Sequence, residues 1–127
     1  VSGADRIKMA NSQNVDAVIS IEANAQSGRN DAYGTETYYQ QNGVVDSEKL
    51  AKSIQSTICL YLNTRDRGIY PSNLEILKNT DMPSALVEVG FITNEKETKK
   101  LKTESYQNKM AEGIAQGILR YIDSKNK

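Results

Sequence analysis

The sequence predicts an α/β fold with a mostly parallel sheet flanked by helices, and three features of the chain carry that expectation. Residues 15–21 (VDAVISI) are β-branched and almost continuously apolar, the pattern of a strand buried on both faces. Residues 84–89 (SALVEV) repeat that pattern with one misfit, Glu88. Around them lie two stretches with apolar residues at helical spacing, 47–63 and 105–123. Strands that alternate with helices pair in parallel, because the helix supplies the crossover that a parallel neighbour requires.

In chain order, residues 4–14 read as a short helix, with Ile7, Ala10 and Asn14 on one face. The strand 15–21 follows. Residues 25–33 contain Ser27-Gly28-Arg29-Asn30-Asp31, a polar loop. Residues 35–40 (TETYYQ) alternate and carry strong strand formers, so a second strand is expected there. Asn42-Gly43 signals a turn. In 47–63, Leu50, Ile54, Ile58 and Tyr61 recur at the 3.6 period, Ala51 and Leu62 widen the stripe, and Asp46 or Ser47 can cap the start. Residues 65–70 read as a polar connection, and 74–77 are ambiguous, a short strand being one reading. After the strand 84–89, Asn94 with Glu97 three residues on resembles a capping box for a short, charge-rich helix. The last helix carries Met110, Ile114, Ile118, Tyr121 and Ile122 as its stripe. No internal boundary is visible, so residues 1–127 are expected to form one domain.

The bulk numbers narrow the chemistry. Lys plus Arg and Asp plus Glu are balanced at 16 each, which argues against nucleic acid as a partner, since phosphate binding needs a basic excess. No apolar run is long enough to span a bilayer. The opening Val1-Ser2-Gly3 without Met suggests a processed or trimmed piece, so the lack of a visible signal peptide is compatible with secretion. The single cysteine, Cys59, forbids an intrachain disulfide; beside Ile58 and Leu60 it reads as a small buried hydrophobe. There is no histidine, so acid–base or metal chemistry within this chain must rest on carboxylates.

Two carboxylates stand where an open α/β sheet binds ligands, at the carboxyl ends of strands. Glu22 directly follows 15–21, and Glu88 lies near the end of 84–89. A glutamate in an apolar strand is costly unless it is paired, metal-bound or at a solvated cleft. Glu88 is therefore either a general base or metal-site residue, or the partner of a cation, or an edge residue facing water. Glu22 is either an exposed loop residue or half of a shared site with Glu88. Tyr38-Tyr39 can stack on sugars or simply pack. Arg65-Asp66-Arg67 is either a local loop network or a contact for ligand carboxylates.

The residues resemble one family in order along nearly the whole chain. Met9-Ala10-Asn11 followed by residues 16–25 (DAVISIEANA) resembles the AN…AD…SIHAN segment of zinc-dependent N-acetylmuramoyl-L-alanine amidases, bacterial cell-wall hydrolases. Residues 34–39 (GTETYY) resemble a strand of that family, and Asp66-Arg67-Gly68 with 73–77 resembles its RG…NL.VL segment. Residues 83–94 (PSALVEVGFITN) resemble the PAVLVEVGFISN segment, and the helix ending Gly117-Ile118-Leu119-Arg120-Tyr121 is also similar.

The resemblance implies a parallel-rich sheet flanked by helices. It implies cleavage of the amide between the lactyl group of N-acetylmuramic acid and L-alanine of the stem peptide, in a secreted or wall-associated enzyme whose partner is peptidoglycan. It also implies zinc, held in the family by a histidine near the first strand, a glutamate after it and the histidine of SIHAN. By position, Glu88 matches the family's catalytic glutamate, and Glu22 stands at the third zinc ligand, where the family has histidine. The chain covers the C-terminal two-thirds of the family domain and lacks its first strands. That exposes a sheet edge through which self-association or pairing with a partner chain is expected. A homologue that binds peptidoglycan or a protein partner without hydrolysis is the alternative function.

Overall fold

The structure, a computed structural model, describes residues 2–26, 28, 31–41 and 46–126. The turn expected at Asn42-Gly43 lies outside the described residues, as do Ser27, Arg29 and Asn30 of the polar loop. The elements, in chain order, are α1 (Gly3–Ser12), β1 (Val18–Asn24), β2 (Thr35–Gln40), α2 (Ser47–Tyr61), β3 (Asp66–Ser72), α3 (Glu75–Lys78), β4 (Ser84–Phe91), α4 (Glu95–Leu101) and α5 (Glu104–Lys125).

Among the described residues four strands form one sheet in the order β1-β4-β2-β3. The pairs β1–β4 and β2–β3 are parallel and the central pair β2–β4 is antiparallel. The mostly parallel sheet is thus present, with one reversal. The reversal falls between β1 and β2, where no helix is present among the described residues. Helix α2, by contrast, links β2 to β3 as a true crossover.

Helices α2 and α5 cover one face of the sheet. Leu50, Ile54 and Ile58 of α2 are fully buried with Ala85 and Val87 of β4 and with Met110, Ile114 and Tyr121 of α5. Burying each such large aliphatic side chain is worth about 1.5–3 kcal/mol. The two helices meet closely because Gly117 has no side chain: a Cβ there would stand 2.6 Å from the Ile54 Cα. Ser53 Oγ donates to the Gly117 carbonyl at 2.7 Å across the same contact.

Three local expectations are corrected. Strand β1 begins later than 15–21 and runs on to Asn24, so Glu22 lies within the strand rather than after it. Residues 66–72 are an edge strand rather than a connection. Its polar sequence reflects a mostly half-exposed or exposed strand, and Pro71 is tolerated because an edge strand has one set of backbone groups without ladder partners. Residues 75–78 form one helical turn rather than a strand, with the Leu77 and Lys78 amides donating to the Leu74 carbonyl.

The caps divide similarly. Asn94 Oδ1 accepts from the Lys96 and Glu97 amides and starts α4, but the Glu97 carboxylate turns to the Gly34 and Phe91 amides instead of closing the expected box on Asn94. Asp46 occupies the N-cap of α2 without a side-chain capping bond, and Ser47 Oγ instead accepts from the Ser84 amide at 3.0 Å. Cys59 is half-buried rather than fully enclosed.

Candidate active site

Residues in register on neighbouring strands point to the same face of a sheet, about 4.8 Å apart. Glu88 is the register partner of Glu22 on β1 and of Glu36 on β2. The three glutamates therefore form a row across three strands, on the face opposite α2 and α5. The facing is independently fixed: Thr37, next to Glu36, donates its hydroxyl to Gln55 of α2, and Ile19 of β1 packs into the core.

Each carboxylate has a different environment. Glu22 is exposed, and its Oε2 accepts from Ser20 Oγ at 3.1 Å; Ser20 in turn accepts from Arg6 Nη2 of α1 at 2.8 Å. Glu36 is 6% exposed and compensated: Asn24 Nδ2 donates to its Oε1 at 3.1 Å, and Arg67 Nε lies 3.5 Å from the same oxygen. Glu88 has neither kind of support. Its Oε2 is buried and has no hydrogen-bond partner among the described residues. Burial, then the charges of Glu22 and Glu36, push its carboxyl up to about 7. A carboxyl group poised there holds or releases a proton at neutral pH, which is what general acid–base work requires.

The neighbouring strand starts complete the surroundings. Because β2 is reversed, the first residues of β2 and β3 lie beside the last residues of β4. Asn24, Gln26, Glu36, Tyr38, Arg67 and Phe91 line a polar cleft of about 240 Å³. The Tyr38 hydroxyl donates to Glu36, and burial followed by that carboxylate pushes the phenol up to about 12. Its ring lies 6.1 Å from that of Tyr70. Behind the cleft, Glu97 of α4 is 3% exposed and accepts from the Gly34 amide at 2.6 Å and the Phe91 amide at 3.4 Å. It ties the loop before β2 to the end of β4.

Of the residues singled out in the sequence, Glu22 and Glu88 are brought together, and Arg67 lies beside Glu36, the register partner of Glu88. Glu36 and Glu97 were missed. Period-two alternation in 35–40 places Glu36, Tyr38 and Gln40 on one face and could have flagged Glu36; Glu97 was hidden inside a run of solvated charges.

A family model for N-acetylmuramoyl-L-alanine amidase matches residues 1–120. The chain belongs to the N-acetylmuramoyl-L-alanine amidase family. The crystal structure of an amidase of that name from Clostridium difficile 630 superposes with a TM-score of 0.96 at 44% identity, covering 98% of this chain and 67% of that one. Protein YqiI of Bacillus subtilis is 42% identical over 94% of this chain and 57% of its own length. The amidase LytC of the same organism is 38% identical over 92% of this chain and 24% of its own length. The chain thus spans little more than half of one curated relative and about a quarter of the other.

The family resemblance carries zinc with it, so the donor set of this amidase-family chain must be tested against that ion. Zinc sites take three or four protein ligands from histidine, cysteine and carboxylates. The chain has no histidine, and among the described residues no three His, Cys, Asp or Glu side chains cluster to hold a metal. Glu36, which completes the row, is turned to Asn24 and Arg67. The residues present do not by themselves fit zinc. What they form is a carboxylate pair, Glu22 and Glu88, with one buried oxygen free of protein partners.

Proposed function

We propose that this chain acts in a peptidoglycan hydrolase that cleaves the amide between N-acetylmuramic acid and L-alanine of the stem peptide, outside the cytoplasm of a bacterium. Glu88 carries the proposal. By resemblance it stands at the family's catalytic glutamate; it lies within β4 in register with Glu22 and Glu36, and its carboxyl is pushed up to about 7. In the proposed reaction Glu88 accepts a proton from the attacking water as its oxygen bonds to the amide carbon. The C–N bond then breaks, and Glu88 returns that proton to the departing amine of L-alanine. Net, water is consumed and one carboxylic acid and one amine are formed.

The experiment is a digest of purified wall with the chain, scored for newly freed L-alanine amino termini. Release is expected, and Glu88→Gln is expected to lower it by roughly 10²–10⁴-fold, the usual worth of a general base. Release that survives Glu88→Gln overturns the role of Glu88.

One observation favours a second reading, a wall-binding homologue without hydrolysis. The chain has no histidine, and no metal-holding cluster is present among the described residues. Cosedimentation with wall sacculi in the absence of any released amine supports that reading over the first. The open edge of β1, on which Ile21 is 56% exposed, supports pairing with a second chain; a monomeric mass by light scattering counts against it. No described helix is long and apolar enough to cross a membrane.

A further inference from the structure

Arg67 is aimed at the cleft by a device built into the sheet. Thr35 pairs with Asp66 but Thr37 pairs with Ile69, so β3 holds one extra residue opposite Glu36. Such a bulge re-aims a side chain that regular alternation would send elsewhere. Gly68 makes it feasible with φ of +92°, its amide donates to Asp66 Oδ1 at 2.9 Å, and the Tyr70 hydroxyl donates to the Arg67 carbonyl.

The guanidinium is then fixed on three sides. It stacks on the Phe91 ring at 4.7 Å, its Nη1 donates to the Tyr33 carbonyl at 3.3 Å, and its Nε faces Glu36 at 3.5 Å. Its Nη2 has no protein partner among the described residues, and the side chain is 24% exposed. Nothing in the fold requires the Nη2 edge to be left open, whereas a ligand acceptor would use it.

Arg67 is the one cation among the described residues that line the cleft. Glu36 offsets Arg67 on the Nε side. Arg65 stacks on the Tyr33 ring at 4.9 Å. At about 240 Å³ the cleft is smaller than the ~300–1,000 Å³ of a whole ligand pocket, which makes it a subsite. It lies one strand from Glu88, since Glu36 both lines it and is the register partner of Glu88.

We infer that Arg67 is a specificity-determining residue whose open guanidinium edge receives a carboxylate on the peptide arm of the substrate. The inference rests on the proposed peptidoglycan reading and deepens it. A planar guanidinium held by stacking and two polar contacts loses little freedom on meeting a carboxylate, and such charge-assisted bonds are stronger than neutral ones.

The test is calorimetric titration of the chain with two N-acetylmuramoyl-L-alanyl dipeptides. They are identical except that the second residue carries a free carboxylate in one and a carboxamide in the other. The carboxylate ligand is expected to bind roughly tenfold tighter. That margin is expected to shrink as salt is raised and to vanish in Arg67→Gln. Arg67→Lys, which keeps the charge but not the fork, is expected to retain only part of it. Equal affinity of the two ligands for the unmodified chain overturns the inference while leaving the proposed function intact, and needs no variant to fold. A margin unchanged in a folded Arg67→Gln also overturns it. Absence of binding by either ligand removes the peptidoglycan reading and the inference with it.

Discussion

Glu22 and Glu88 are register partners on parallel strands, yet one is exposed and hydrogen-bonded to Ser20 while the other keeps a buried oxygen without a protein partner. The asymmetry fixes which of the two holds the proton. In chelator-treated protein, the side-chain carboxyl of Glu88 is expected to titrate near 7, driven first by burial and then by Glu22 and Glu36. Carbon-detected NMR titration checks this, and Glu22→Gln should move the midpoint downward. An unmoved midpoint in that variant removes Glu22 as a cause.

The same shift has a sign in stability. The unfolded chain releases the Glu88 proton near the ordinary value of 4.5, whereas the folded chain keeps it to about 7. Between those values the folded state binds more protons, so Glu88 makes stability fall as pH rises through that window and leaves it level above. Glu88→Gln should flatten this part of a urea-midpoint curve. Because the group is about half-exposed, the slope is shallow.

Helix α5 depends on Gly117 for its approach to α2. Gly117→Ala gains about 1 kcal/mol of helix propensity, but its methyl meets the Ile54 backbone at 2.6 Å, where nothing flexible can yield. Net destabilisation of roughly 1–3 kcal/mol is expected from overpacking, read as a lower denaturant midpoint. A rise in midpoint would show that the two helices separate freely.

Glu97 ties the loop before β2 to the end of β4. Glu97→Ala leaves the buried Gly34 amide without its acceptor, at a cost of roughly 1–3 kcal/mol. Hydrogen exchange should report the loss first at Gly34 and Phe91, because both amides bond that carboxylate. Unchanged protection at both would count against the clip.

Cys59 should react sluggishly. Burial, then the Asp66 charge, push its thiol upward, which depletes the thiolate that attacks alkylating reagents. Iodoacetamide labelling at pH 8 is expected to be slower in native than in urea-unfolded chain, measured by mass spectrometry. Equal rates would place the thiol in open solvent.

The sequence made the core strands and long helices legible because their apolar spacing is strong: 84–89 and 47–63 fall within two residues of β4 and α2. Glu88 was legible for the same reason, as a charge among Leu86, Val87 and Val89. Strand β3 was not, since Asp66, Arg67 and Gly68 serve a bulge and a cleft rather than a buried face, and their polarity imitates a loop. The reversal of β2 was also hidden. Nothing in 25–34 encodes direction, and it is that reversal which brings Glu36 and Arg67 beside Glu88.

The row of Glu22, Glu88 and Glu36 takes one residue from each of three strands whose order in space differs from their order in the chain. No contiguous stretch of the chain holds even a partial copy of it. Pairing Glu22 with Glu88 joins residues 66 positions apart (88 − 22), a non-local step of the kind that makes β-rich topologies fold slowly. The carboxylates therefore remain apart, and Glu88 keeps its ordinary acidity, until the sheet has zipped. Proton uptake near neutral pH during refolding would consequently time the assembly of the sheet itself.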